Sequence, residues 1–110
     1  MKFIVAKNIG FCFGVKRALK LSKKSLKENP KPVHFLGEVI HNEKIMREIK
    51  KKGGKIISDP KKIKTGTLVI RAHGAPPLFL SKDIVVVDAT CPLVKRAQAA
   101  AQTLFRKGYQ

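Results

Sequence analysis

The sequence predicts an α/β fold, an open and mostly parallel sheet with flanking helices, and three observations carry that expectation. Short, β-branched apolar runs alternate with longer amphipathic ones. Turn residues, chiefly Gly, Pro, Asn and Asp, separate them. Four apolar runs end in a turn that carries one cysteine or histidine: Cys12, His41, His73 and Cys91. In an open parallel sheet the strand-to-helix turns lie along the carboxyl edge, where ligands collect. The four side chains are therefore expected to converge on one crevice.

Taken in order, Lys2 to Ala6 reads as a strand, and Gly14 to Glu28 as a helix with Val15, Ala18, Leu19, Ser22 and Leu26 on one face. Asn29-Pro30 stops it. Val33 to Leu36 is a short buried strand. Asn42 to Lys52 repeats Ile45, Met46 and Ile49 on a helix face and ends at Gly53-Gly54. Lys55 to Ser58 is a strand, Asp59-Pro60 begins a basic turn, and Thr67 to Arg71 is a β-branched strand. Pro76-Pro77 opens a short helical or turn segment, and Ile84 to Val87 is the most strand-like run. Pro92 starts a last helix, with Val94, Ala97, Ala101, Leu104 and Phe105 expected on its buried side and Gly108 as its C-cap.

A chain of 110 residues, 44% hydrophobic and 28% charged, suits one folded domain with a modest core and argues against disorder. The apolar run Phe3 to Ala6 is too short for a signal peptide, and no stretch reaches the roughly 18 apolar residues of a membrane span. A cytoplasmic location follows as the expectation. The net charge of +17 invites a nucleic-acid reading. The cations fall mainly in helices (Lys16, Arg17, Lys20, Lys23, Lys24, Lys27) and turns (Lys50 to Lys52, Lys61, Lys62, Lys64), with few aromatics to stack on bases. Solvated helix faces explain them better, and an anionic small molecule fits the same field. After Gly108 only Tyr109-Gln110 follow, so the last helix is expected to feed a further strand beyond this sequence.

In GFCFGV (Gly10 to Val15), Gly10 and Gly14 permit unusual backbone angles, so Cys12 is expected on a sharp turn near backbone N–H groups, with Phe11 and Phe13 excluding water. In DATCP (Asp88 to Pro92), Cys91 precedes a helix N-terminus, whose dipole favours the thiolate that binds metal. Each cysteine could instead be a small buried apolar residue. His34 lies inside a strand and reads as a satisfied structural side chain. His41 in GEVIHN (Gly37 to Asn42) and His73 in RAHG (Arg71 to Gly74) stand where anions bind, or else are metal ligands beside the cysteines. Four ligands dispersed singly over the chain disfavour a zinc finger, whose ligands come in close pairs.

GFCFGVKRA, GEVIHN, RAHG and DATCPLV, in this order and spanning nearly all of the chain, resemble the 4-hydroxy-3-methylbut-2-enyl diphosphate reductase family, iron-sulfur enzymes of the non-mevalonate isoprenoid route. The resemblance implies that Cys12 and Cys91 ligate a 4Fe-4S cluster and that His41 and His73 bind a diphosphate substrate. It implies reductive removal of an allylic hydroxyl, giving isopentenyl and dimethylallyl diphosphates, with a reduced ferredoxin or flavodoxin-type protein as electron donor. It implies the first of three similar domains, with residues 1–94 forming that domain and 95–110 a helix leading into a second. The third cluster cysteine, a His-Pro-Glu segment bearing the proton-donor glutamate, and a later Ser/Asn phosphate site are absent from these residues, so no catalytic acid is assigned here and the fragment alone is expected to be inactive. Lys95-Arg96-Ala97-Gln98 departs from the Thr-Lys-x-His of many members.

Overall fold

Three helices and four parallel strands make up the chain in the computed structural model, which describes residues 1–110. In chain order they are α1 (Phe13–Glu28), β1 (Val33–Leu36), α2 (Glu43–Lys51), β2 (Lys55–Ile57), β3 (Gly66–Ile70), β4 (Ile84–Asp88) and α3 (Pro92–Arg106), with a 3₁₀ turn at Pro60–Lys62. The sheet order is β2-β1-β3-β4. β1 thus lies at the centre, with the chain winding to one side for β2 and to the other for β3 and β4. The boundary between β1 and β3 is the topological switch point, where the loops leaving the carboxyl ends diverge and open a crevice.

Strand alternation sorts the apolar residues onto two faces. Val33, Phe35 and Val69 join Ala18 and Leu26 of α1 and Met46 and Ile49 of α2 in the main core. Leu36, Leu68 and Ile84 turn to the other face, where Ile63 and the loop residues Ala75, Leu78 and Leu80 cover them without a helix. Register places Phe35 opposite Ile56 and Val69, at the middle of the sheet. The helix ends follow local chemistry. Asn42 caps α2 by accepting the Ile45 N–H at 3.2 Å, and Gly54 has no room for a side chain because a Cβ there would meet Ile49 Cγ2 at 2.6 Å and Phe35 Cε2 at 2.8 Å.

Several expectations are corrected. Lys2 to Ala6 is not a strand: residues 1–13 are exposed, and β2 and β4 end the sheet without them. An isolated strand has no ladder to satisfy its backbone groups, so its apolar pattern alone does not fold it here. α3 has no buried residue, with Leu104 at 50% and Phe105 at 77% exposure, so its predicted apolar face stands uncovered. These two segments stretch the radius of gyration to 16.6 Å, against about 13 Å for a compact domain of this length. Phe11 and Phe13 are exposed and do not shield Cys12 from water. Pro76-Pro77 forms a bend and no helix, so the turn after β3, alone of the four, does not open a helix. His34 Nδ1 is buried with no hydrogen-bond partner, contrary to the expectation of a satisfied side chain. No helix is long and apolar enough to cross a membrane.

Candidate functional site

Each of the four singled-out residues stands at the carboxyl edge for a local reason. Cys12 is the N-cap of α1, and its carbonyl accepts the Lys16 N–H at 3.0 Å. Cys91 is the N-cap of α3, held by its own N–H to Ala72 O at 2.7 Å and by Pro92 at the first helical position. Neither cap makes a side-chain hydrogen bond, so both thiols are left free, Cys12 exposed and Cys91 half-buried. His41 ends the loop between β1 and α2, and His73 sits in the turn that leaves β3. Their strands are adjacent, so the two loops flank the switch point.

All four residues border one crevice of about 260 Å³, with Gly14, Val15, Val39, Ile40, Ala72 and Val94 supplying apolar walls. The expected convergence is therefore observed. The imidazoles of His41 and His73 stack with centroids 5.7 Å apart and planes inclined by 18°. Glu38 Oε2 lies 3.2 Å from His41 Nδ1. A carboxylate only accepts, so this contact places a proton on Nδ1 and leaves Nε2 as the free nitrogen. His73 is held below the usual histidine range by partial desolvation, then by the Arg71 guanidinium and by His41.

The turn bearing Cys91 is tied down on several sides. Asp88 Oδ1 accepts the Thr90 N–H at 3.0 Å, and Arg17 Nη1 donates to Thr90 O at 3.1 Å. Lys95 pairs with Asp88 Oδ2. Burial raises the Asp88 carboxyl, but bonds from Lys95 and Thr90 outweigh it and hold the group below the usual carboxylate range. Sequence reading missed these supports, along with Glu38 and Arg71. Lys95 gave a signal only as a departure from the family pattern, and Arg71 only as part of RAHG. Gly14 was noticed for the wrong reason. It has no positive φ, and its role is room: a Cβ there would fall 2.5 Å from Cys91 Sγ.

The family model described as "LytB protein" matches residues 3–110. The chain belongs to the LytB protein family. It is 44% identical over 111 residues to 4-hydroxy-3-methylbut-2-enyl diphosphate reductase of Aquifex aeolicus (strain VF5), covering 96% of this chain and 38% of the relative. It is 38% identical over 114 residues to the reductase of the same name from Alkaliphilus oremlandii (strain OhILAs), covering 99% and 41%. A solved structure of (E)-4-hydroxy-3-methyl-but-2-enyl diphosphate reductase, described as the terminal enzyme of the non-mevalonate pathway, superposes with a TM-score of 0.77 at 44% identity, covering 96% of this chain and 39% of that one. The Plasmodium falciparum reductase superposes with a TM-score of 0.82 at 30% identity, over 91% and 33%. The chain thus spans about two fifths of the length of these LytB relatives.

As a metal site the crevice is partial. Two thiols face it, and the missing Cβ of Gly14 leaves space beside Cys91 Sγ. No group of three or more Cys, His, Asp or Glu side chains in the chain could hold a metal ion. Two thiols are the donor type of a sulfur-ligated centre, and alone they are too few to complete one.

Proposed function

We propose that this chain is the cluster- and diphosphate-binding part of a 4-hydroxy-3-methylbut-2-enyl diphosphate reductase. One observation carries the reading: two thiols and a stacked imidazole pair share one crevice at the switch point of the sheet, in a chain of the LytB family. Cys12 and Cys91 would hold a 4Fe-4S cluster together with a third thiolate from residues outside this chain. When bound, such a cluster supplies the electrons for reductive loss of the allylic hydroxyl. His41 and His73 would hold the diphosphate as imidazoliums, each through a ring N–H donated to a phosphate oxygen, from Nε2 in the case of His41, whose Nδ1–H is given to Glu38. Glu38 orients the His41 ring through Nδ1, and the apolar walls Val15, Val39, Ile40 and Val94 keep water from the hydrocarbon part of the substrate.

The products are isopentenyl and dimethylallyl diphosphates, the electron donor is a reduced ferredoxin or flavodoxin-type protein, and the compartment is the cytoplasm. Residues 1–94 form the first domain and 95–110 lead into a second. The uncovered faces of α3 and the coverage of about two fifths of each relative support that division. The experiment is a chimera in which this chain replaces the matching segment of the Aquifex aeolicus relative, assayed anaerobically for reductant-dependent formation of the two diphosphates. Turnover within tenfold of the parent is expected, and none from the 110-residue chain alone. A well-folded chimera that binds iron and substrate but forms neither product would overturn the reading.

A further inference from the structure

We propose that Arg71 is the positioning residue of this site, a clamp that ties the loop bearing His41 to the turn bearing His73 and so sets the stacking of the two imidazoles. The inference rests on the reading of the histidines as diphosphate ligands, but its geometry stands independently.

Arg71 follows directly on β3, and its side chain reaches both loops. Its Nε donates to Gly74 O at 3.0 Å, closing the turn around His73 from outside. The Gly74 N–H bonds back to Arg71 O at 3.0 Å, so the same two residues clasp the turn twice. The other end of the guanidinium lies against Gly37, where a Cβ would stand 3.0 Å from Nη1. Gly37 begins the loop that carries Glu38 and His41, and its φ of +67° admits little but glycine. Gly74, at φ +84°, is hemmed on its far side by Gln98, with Nε2 2.9 Å from where a Cβ would be. The turn of His73 is thus held between a guanidinium and α3.

Arg71 acts through the histidines and does not act as a ligand. It does not line the crevice. Arg71 borders a separate depression, with Leu36, Ser58, Pro60 and Leu78. Its charge is the second cause holding His73 below the usual range. A lysine cannot replace it, because one ammonium on a flexible stem cannot bond Gly74 O and fill the space beside Gly37 together.

The test uses the 110-residue chain, its Arg71→Lys and Arg71→Gln variants, and inorganic pyrophosphate. By NMR the wild type is expected to show a nuclear Overhauser contact between the His41 and His73 rings and a His73 midpoint below the ordinary one. In both variants the ring contact should vanish and pyrophosphate should bind at least tenfold more weakly, and in Arg71→Gln, which loses the charge, the His73 midpoint should rise. Amide shifts outside residues 37–42 and 71–75 should stay put, and added guanidinium ion should partly restore the His73 midpoint of Arg71→Gln. Persistence of the ring contact in either variant overturns the clamp. So does global unfolding of both variants, which would make Arg71 a folding residue. A wild type that keeps the ring contact but binds no pyrophosphate overturns the ligand reading of the histidines and leaves the clamp to be judged by the ring contact.

Discussion

Cys91 Sγ stands where a side chain at Gly14 would begin, 2.5 Å from the position of a Cβ, so the first turn of α1 and the N-cap of α3 meet with nothing between them but a sulfur. Only glycine allows the two cysteine-bearing helix starts to close on one crevice. Gly14→Ala sets two effects against each other. Alanine in a helix gains about 0.5 to 1 kcal/mol, whereas forcing a methyl into a filled site costs about 1 to 3 kcal/mol. The contact is with Cys91 Cβ as well as its sulfur, at 2.8 Å, and a residue tied through its own N–H cannot swing away. Net destabilisation is expected in urea, and equal or greater stability would show that the Cys91 turn yields.

Asp88 supports that turn through its charge. Its folded-state pKa lies below the unfolded one, because the bonds from Lys95 and Thr90 outweigh burial. Its contribution to stability is thus present above the unfolded value, near 4, and is lost as pH falls through the folded value. Urea midpoints of the wild type should decline on acidification below about pH 4, and Asp88→Asn should flatten that decline. Parallel pH profiles for the two proteins would remove Asp88 from the effect.

His73 is also lowered, by partial desolvation and then by Arg71 and His41. The neutral ring is therefore favoured in the folded state, and its contribution is present above about pH 6.5 and fades as pH falls through the folded value. A bound dianion reverses the bias by favouring the imidazolium. Saturating inorganic pyrophosphate should raise the His73 midpoint in an NMR titration. An unmoved midpoint at saturation would place the anion away from His73.

The core and the exposed helix should respond very differently to truncation. Phe35 is fully buried at the middle of the sheet, so Phe35→Ala should cost about 3 to 5 kcal/mol. Phe105 is 77% exposed on a helix that buries nothing, and Phe105→Ser should shift stability by less than about 0.5 kcal/mol. A large loss at Phe105 in this chain would mean that α3 packs on the sheet in solution.

Much of this was legible in the residues themselves. The period of α1 and α2, the short apolar run of β1, the β-branched runs of β3 and β4, and the turn signals at Asn29-Pro30 and Gly53-Gly54 are local properties, and local rules found them. Convergence of His41, His73 and Cys91 was legible too, because parallel topology sends the turns after β1, β3 and β4 to one edge, and Cys12 joins them at the start of α1 although no strand precedes it. What failed depends on partners. Lys2 to Ala6 alternates like a strand and Leu104-Phe105 repeat like a core face, but each needs a surface to pack on, and these residues supply none. The supports contributed by Arg17, Arg71 and Lys95 were hidden because a cation in so basic a sequence carries no mark of being the one that reaches a backbone carbonyl or a carboxylate.

The most direct measurement is iron and sulfide content with the visible spectrum, and diphosphate affinity, after anaerobic reconstitution of the Aquifex aeolicus chimera carrying Cys12→Ser, Cys91→Ser, His41→Ala or His73→Ala. Each cysteine variant should lose the cluster. Each histidine variant should keep it while diphosphate binding weakens by about 1.5 to 3 kcal/mol, the worth of one charge-assisted hydrogen bond. Full iron content in either cysteine variant, or loss of iron with unchanged diphosphate affinity in either histidine variant, would contradict a crevice in which thiols hold the metal and imidazoles hold the anion.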